Sequence, residues 1–71
     1  MGIKFNWGII GTGGIANAFA NDLKLLDGHC VAAVGSRTKE NANKFSLNFS
    51  NCTPYGSYLE CIRDRNVDGI Y

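Results

Sequence analysis

The chain holds 71 residues with a net charge of +1, and its charged residues, 18% of the total, are scattered along it. One domain at most fits this length, and a near-neutral, evenly spread charge gives no electrostatic case for nucleic acid or a membrane surface as partner. No apolar run is long enough to span a bilayer and Met1 to Lys4 carry no signal-peptide pattern, so a cytoplasmic protein is expected.

Trp7-Gly8-Ile9-Ile10, preceded by Ile3 and Phe5, reads as a nearly continuous apolar strand, as a strand buried on both faces of a parallel sheet does. Gly11-Thr12-Gly13-Gly14-Ile15-Ala16 follows directly. Then Ile15, Ala16, Phe19, Ala20, Leu23 and Leu26 recur at three- and four-residue steps, which predicts a helix with one face on a sheet, and Gly28 is its expected stop. Cys30-Val31-Ala32-Ala33-Val34 is a second apolar strand. Strand, glycine turn, helix and strand fit within about 30 residues, the span of a βαβ unit.

In that setting Gly-x-Gly-x-x-Ala is a phosphate-binding fingerprint, although the same pattern alone is weak in a chain with nine glycines. Gly11 permits the tight turn, Gly13 lets backbone approach a pyrophosphate, and Ala16 lets the helix pack on the strand. The helix starts with free N–H groups and a positive dipole end at the phosphates. The second strand runs out into Gly35-Ser36-Arg37-Thr38, with no carboxylate where an NAD-binding fold usually places one for the ribose. A hydroxyl, a guanidinium and the N–H groups of Arg37 and Thr38 suit a 2′-phosphate instead, so NADP is the expected cofactor. NAD stays open, because Arg37 can also stack on adenine. The bland alternative makes Arg37 a solvated loop residue and Ser36 and Thr38 helix caps; Thr38 is read as a cap in either case.

Lys39 to about Asn48 reads as a second helix, with Ala42, Phe45 and Phe49 inward. Residues 47–54 are rich in turn formers and are expected to be loop. A third helix is predicted from Ser57 as N-cap, with Glu60 completing a capping box and Leu59 and Ile62 buried. Arg63 to Asn66 reads as a solvated turn, and Val67 to Tyr71 as the third strand. This is an α/β order, β-α-β-α-β with a short extra helix. Right-handed crossovers would line the strands up as 3-2-1, the N-terminal half of a doubly wound Rossmann sheet. Residues 1–71 are accordingly expected to be a partial NAD(P)-binding domain, the remainder of that domain and a substrate domain following in a longer enzyme.

Cys30, Cys52 and Cys61 form no Cys-x-x-Cys pair and read as free thiols of a reducing compartment, and His29 reads as a loop residue without a metal. Phe5, Trp7, Phe19 and Phe45 sit on apolar faces and are assigned to the core. Two sequons, at Asn48 and Asn51, read as chance matches.

Three further strings carry a resemblance. The segments Trp7 to Ala16, Ala33 to Arg37, and Tyr55 to Glu60 followed by Asn66 to Tyr71 resemble the Gfo/Idh/MocA oxidoreductases, in particular their dihydrodiol and D-xylose dehydrogenase-like branch. The resemblance implies an NADP-dependent enzyme of two domains, acting on a sugar, cyclic polyol or diol as a homo-oligomer. Cofactor contacts carry over onto Thr12, Gly13, Gly14, Ile15, Ser36 and Arg37. Catalytic residues do not: the family's Glu-Lys-Pro lysine and its downstream histidine or aspartate are expected beyond Tyr71, and Lys4, Lys24, Lys39 and Lys44 sit in no such segment. Two rival readings are a non-catalytic NADP(H)-sensing regulator and a methyltransferase binding S-adenosylmethionine, the second disfavoured because that class normally keeps an acid after its second strand.

Overall fold

A computed structural model describes residues 4–71, so the expectation for Ile3 lies outside the described residues. Seven elements follow one another: β1 (Phe5–Ile10), α1 (Gly14–Leu23), β2 (His29–Gly35), α2 (Lys39–Ser46), β3 (Thr53–Tyr55), α3 (Tyr58–Ile62) and β4 (Gly69–Ile70). The strands form one parallel sheet in the order β3-β2-β1-β4. This is the Rossmann-like α/β architecture expected.

The order 3-2-1 holds, but position 3 is filled by a different strand. Thr53–Tyr55, expected to be loop, pairs with Ala33 to Gly35 at the sheet edge. The strand expected third, at 67–71, lies instead on the far side of β1, where Gly69 and Ile70 pair with Trp7 and Gly8. A three-residue edge strand has too short a pattern to stand out, and Pro54 is tolerated there because an edge position needs no second N–H. Asn51, with φ 59, turns the chain just before it.

β1 and β2 pair from Phe5↔His29 to Ile10↔Gly35, with a register jump between Trp7↔Val31 and Gly8↔Ala33. Ala32 is therefore an extra residue, and the bulge resets the alternation of β2. That is why Val31 and Val34, an odd number of residues apart, lie in one core with Ile9, Ala16, Ala20, Leu23, Ala42 and Phe45. Ile9 and Val34 are both 0% exposed, and full burial of such a side chain stabilises by about 1.5–3 kcal/mol.

Helix faces differ from the expected ones in detail. On α1, Ala16, Ala20 and Leu23 are buried at i, i+4 and i+7. Ile15 (77% exposed) and Leu26 (53% exposed) are not. Ile15 is one residue, hence about 100°, off that stripe, and Leu26 lies past the helix end in the turn leading to Gly28. On α3, Leu59 and Ile62 are 55% and 52% exposed, and Cys61 at 0% is the buried residue. The expected caps are in place: Asn41 N–H donates to Thr38 Oγ1 at 3.2 Å, and Glu60 N–H to Ser57 Oγ at 3.2 Å. Ser57 Oγ also donates to Glu60 Oε1 at 3.1 Å. His29 opens β2 rather than lying in a loop, and its Nδ1 accepts from Trp7 Nε1 at 3.1 Å.

Two strand glycines make room for the far face of the sheet. A Cβ on Gly8 would lie 2.8 Å from Ile70 Cδ1, and one on Gly35 would lie 2.8 Å from Cys61 Cβ and 3.0 Å from Ser57 O. Ser57 O is backbone and cannot rotate away. Gly35→Ala is expected to lower stability by about 1–3 kcal/mol, the usual cost of forcing volume into packed structure, read as a lower urea midpoint of the intact protein. An unchanged midpoint would mean that α3 does not press on β2.

Candidate functional site

In the order β3-β2-β1-β4 the chain first steps outward from β1 and then returns past it. The reversal leaves a crevice at the carboxyl end of β1, where open parallel sheets bind ligands. The glycine turn enters that crevice. Gly11 has φ 95, a conformation that disfavours any side chain. Its N–H donates to Gly35 O at 2.8 Å, which closes the last rung of the β1–β2 ladder at the Ile10↔Gly35 pair. This bond sets the start of the turn against the start of Ser36-Arg37-Thr38, so the two sequence-predicted halves of the site are neighbours.

Glycine at 13 and 14 is not required by the chain itself. Neither has a positive φ, and a Cβ on either would meet nothing within 4 Å. The space is left for something outside the chain to approach the backbone, which is what a pyrophosphate needs. Gly13 caps α1 without a side-chain bond, and the N–H groups of Gly13 and Gly14 have no acceptor among the described residues. Such N–H groups at a helix start attract anions. Thr12 is half-buried, Ile15 faces out beside the turn, and Ala16 is 8% exposed against the sheet. The residues present therefore fit a dinucleotide phosphate group.

At the end of β2, Ser36 is buried at 4% exposure and its N–H donates to Tyr55 O at 3.1 Å. β3, absent from the expected topology, thus anchors Ser36. Arg37 is exposed, and Thr38 Oγ1 is engaged as the cap of α2. The only acid in the first turn of α2, Glu40, lies 3.9 Å from Lys44.

Asn17 escaped the sequence reading. Its Nδ2 donates to Thr12 O at 3.0 Å and to Gly13 O at 3.1 Å, tying the helix back onto the turn. The signal was an asparagine four residues after a cap without a side chain. A cleft of about 240 Å³ lined by Thr12, Asn17, Asn41 and Lys44 opens beside it. A larger cavity, about 400 Å³, lies at the opposite end of β2 near His29 and Phe49, away from the turn.

No described residue outside this crevice offers evident chemistry. All three cysteines are free, and no group of three His, Cys, Asp or Glu side chains converges on a metal position among the described residues. Burial, and secondarily the nearby Cys61, pushes the Cys52 thiol up to about 12. Burial, then Asp64, pushes Cys61 up to about 11. Tyr55 is raised to about 12, chiefly because its hydroxyl donates to Asp64 Oδ2 at 2.6 Å. At neutral pH all three are protonated, so neither thiol is a nucleophile. Each folded-state value lies above its unfolded one, so the neutral form is favoured by folding. Stability should hold up to about pH 9, where unfolded thiols ionise, and fall as pH rises through the folded values near 11 and 12. Urea midpoints of the intact protein across that range check this; a midpoint flat throughout would contradict it.

Comparison with known proteins gives the family. Residues 5–71 match GFO_IDH_MocA, the oxidoreductase family with an NAD-binding Rossmann fold. The chain is 40% identical over 71 residues to trans-1,2-dihydrobenzene-1,2-diol dehydrogenase of Mus musculus, covering 97% of this chain and 21% of that protein. It superimposes on a mutant of KijD10, a 3-ketoreductase from Actinomadura kijaniata in complex with TDP-benzene and NADP, with TM-score 0.87 and 28% identity, over 96% of this chain and 22% of that one. It also superimposes on myo-inositol dehydrogenase from Lactobacillus casei, in complex with NAD(H) and myo-inositol, with TM-score 0.85 and 27% identity, over 96% and 21% of the two chains. The chain thus spans about a fifth of the length of these relatives. No described helix is long and apolar enough to cross a membrane. Since the match begins with β1 and runs to Tyr71, it takes in the whole sheet, and the chain belongs to the Gfo/Idh/MocA oxidoreductase family.

Proposed function

We propose that the intact protein is an NADP(H)-dependent oxidoreductase that moves a hydride between the nicotinamide and a sugar, cyclic polyol or diol. The observation that carries the cofactor choice is the end of β2, where Ser36 and Arg37 stand beside the glycine turn with no carboxylate. A carboxylate there would repel a 2′-phosphate, whereas a guanidinium offers it a planar fork of charged donors.

In this reading Gly11, Thr12, Gly13, Gly14 and Ile15 surround the pyrophosphate. The Ser36 hydroxyl, the Arg37 side chain and the N–H groups of Arg37 and Thr38 receive the 2′-phosphate. The bound nicotinamide supplies the hydride chemistry. These residues hold and orient the dinucleotide, and none of them is assigned to the reacting atoms. The proposed catalytic residues, the rest of the dinucleotide domain and a substrate domain come from outside these 71 residues, in keeping with relatives about five times as long. The substrate class rests on those relatives, one named for a diol and another solved with myo-inositol.

Titration of the intact protein with NADPH and NADH tests the proposal. NADPH is expected to bind more tightly, and Arg37→Ala should weaken it about ten- to a hundredfold, the loss of a charge-assisted hydrogen bond worth about 1.5–3 kcal/mol, while NADH changes little. Equal affinities for the two, both untouched by Arg37→Ala, would overturn it.

A further inference from the structure

The geometry points to Asn17 as the positioning residue that aims the glycine turn at the pyrophosphate, an inference that rests on the dinucleotide reading of this site. The turn has a weakness built in. Gly13 and Gly14 give close access, but adjacent glycines leave their shared peptides free to rotate. A loop that must be ordered on binding costs affinity, so whatever holds it beforehand contributes to binding.

Asn17 holds two consecutive peptides at once. One side-chain amide donates to Thr12 O at 3.0 Å and to Gly13 O at 3.1 Å, and the Asn17 N–H also donates to Gly13 O, at 2.9 Å. In a planar trans peptide the carbonyl and the next N–H point opposite ways. Fixing the Thr12 carbonyl toward the helix therefore turns the Gly13 N–H away from it, and fixing the Gly13 carbonyl does the same for Gly14. Neither of these N–H groups has an acceptor among the described residues. Asn17 reaches the ligand only through them. An amide suits the position because its NH₂ supplies two donors to two acceptors. A carboxylate of the same shape would face both carbonyls with negative charge.

The test uses the intact protein with two probes, NADPH and adenosine 2′-monophosphate, which carries the 2′-phosphate but no pyrophosphate. Asn17→Ala should weaken NADPH about five- to tenfold, the equivalent of one or two hydrogen bonds, and leave adenosine 2′-monophosphate unchanged. Asn17→Asp should weaken NADPH further, and Asn17→Gln, which keeps the donor amide, should restore part of the loss. NADPH affinity unchanged in Asn17→Ala and Asn17→Asp would overturn the inference alone. Parallel loss of both probes would also overturn it, by making Asn17 a general support of the fold. A parent protein that binds neither NADPH nor NADH would overturn the dinucleotide reading and this inference with it.

Discussion

The hydrogen bond from Gly11 N–H to Gly35 O, at 2.8 Å, is the contact on which the site depends. It closes the last rung of the β1–β2 ladder, at the Ile10↔Gly35 pair. Everything proposed to hold phosphate lies at or immediately after one of its two residues: the glycine turn from Gly11 on, and Ser36-Arg37-Thr38 after Gly35. Without that rung the two segments would leave the sheet independently. With it, their separation is set by the spacing of neighbouring parallel strands, roughly 4.8 Å.

Packing explains why the rung is stable. Ile9 and Val34 are 0% exposed on the strands just before it, and the bulge at Ala32 keeps Val31 and Val34 in one core. From the other face, α3 presses on Gly35 closely enough that a Cβ there would lie 2.8 Å from Cys61. Cys61, although a thiol, serves as a small apolar filler at this point, its S–H reaching Ile9 O at 4.0 Å. β3 adds a further tie by accepting from Ser36 N–H. The base of the site is thus packed and hydrogen-bonded from both faces of the sheet, and Asn17 ties the glycine turn onto it.

Much of this was legible in the residues, for physical reasons. β1, α1, β2 and α2 are long enough for periodicity to declare them, and the caps at Thr38 and Ser57 have short-range chemistry that needs no tertiary context. Thr53–Tyr55 was not legible, because three residues at an edge owe their pairing to β2 rather than to their own pattern. Missing it put 67–71 in the wrong place in the sheet. Leu59 and Ile62 have helical spacing yet lie exposed, because on α3 it is Cys61 that meets Gly35. Asn17 was missed because its importance lies in where two carbonyls point, which composition does not disclose. The glycines and Ser36-Arg37 were visible at once, since each departs from what an ordinary turn needs.

Hydrogen exchange on the intact protein, with and without saturating NADPH, tests the central claim without altering a residue. Protection on binding is predicted in two separate segments, the Gly13 to Ile15 amides and the Arg37 to Thr38 amides, which follow the two residues of the Gly11–Gly35 rung. Protection in the first segment with none in the second would contradict the 2′-phosphate site. Protection in neither, with NADPH bound, would place the cofactor elsewhere and contradict the account as a whole.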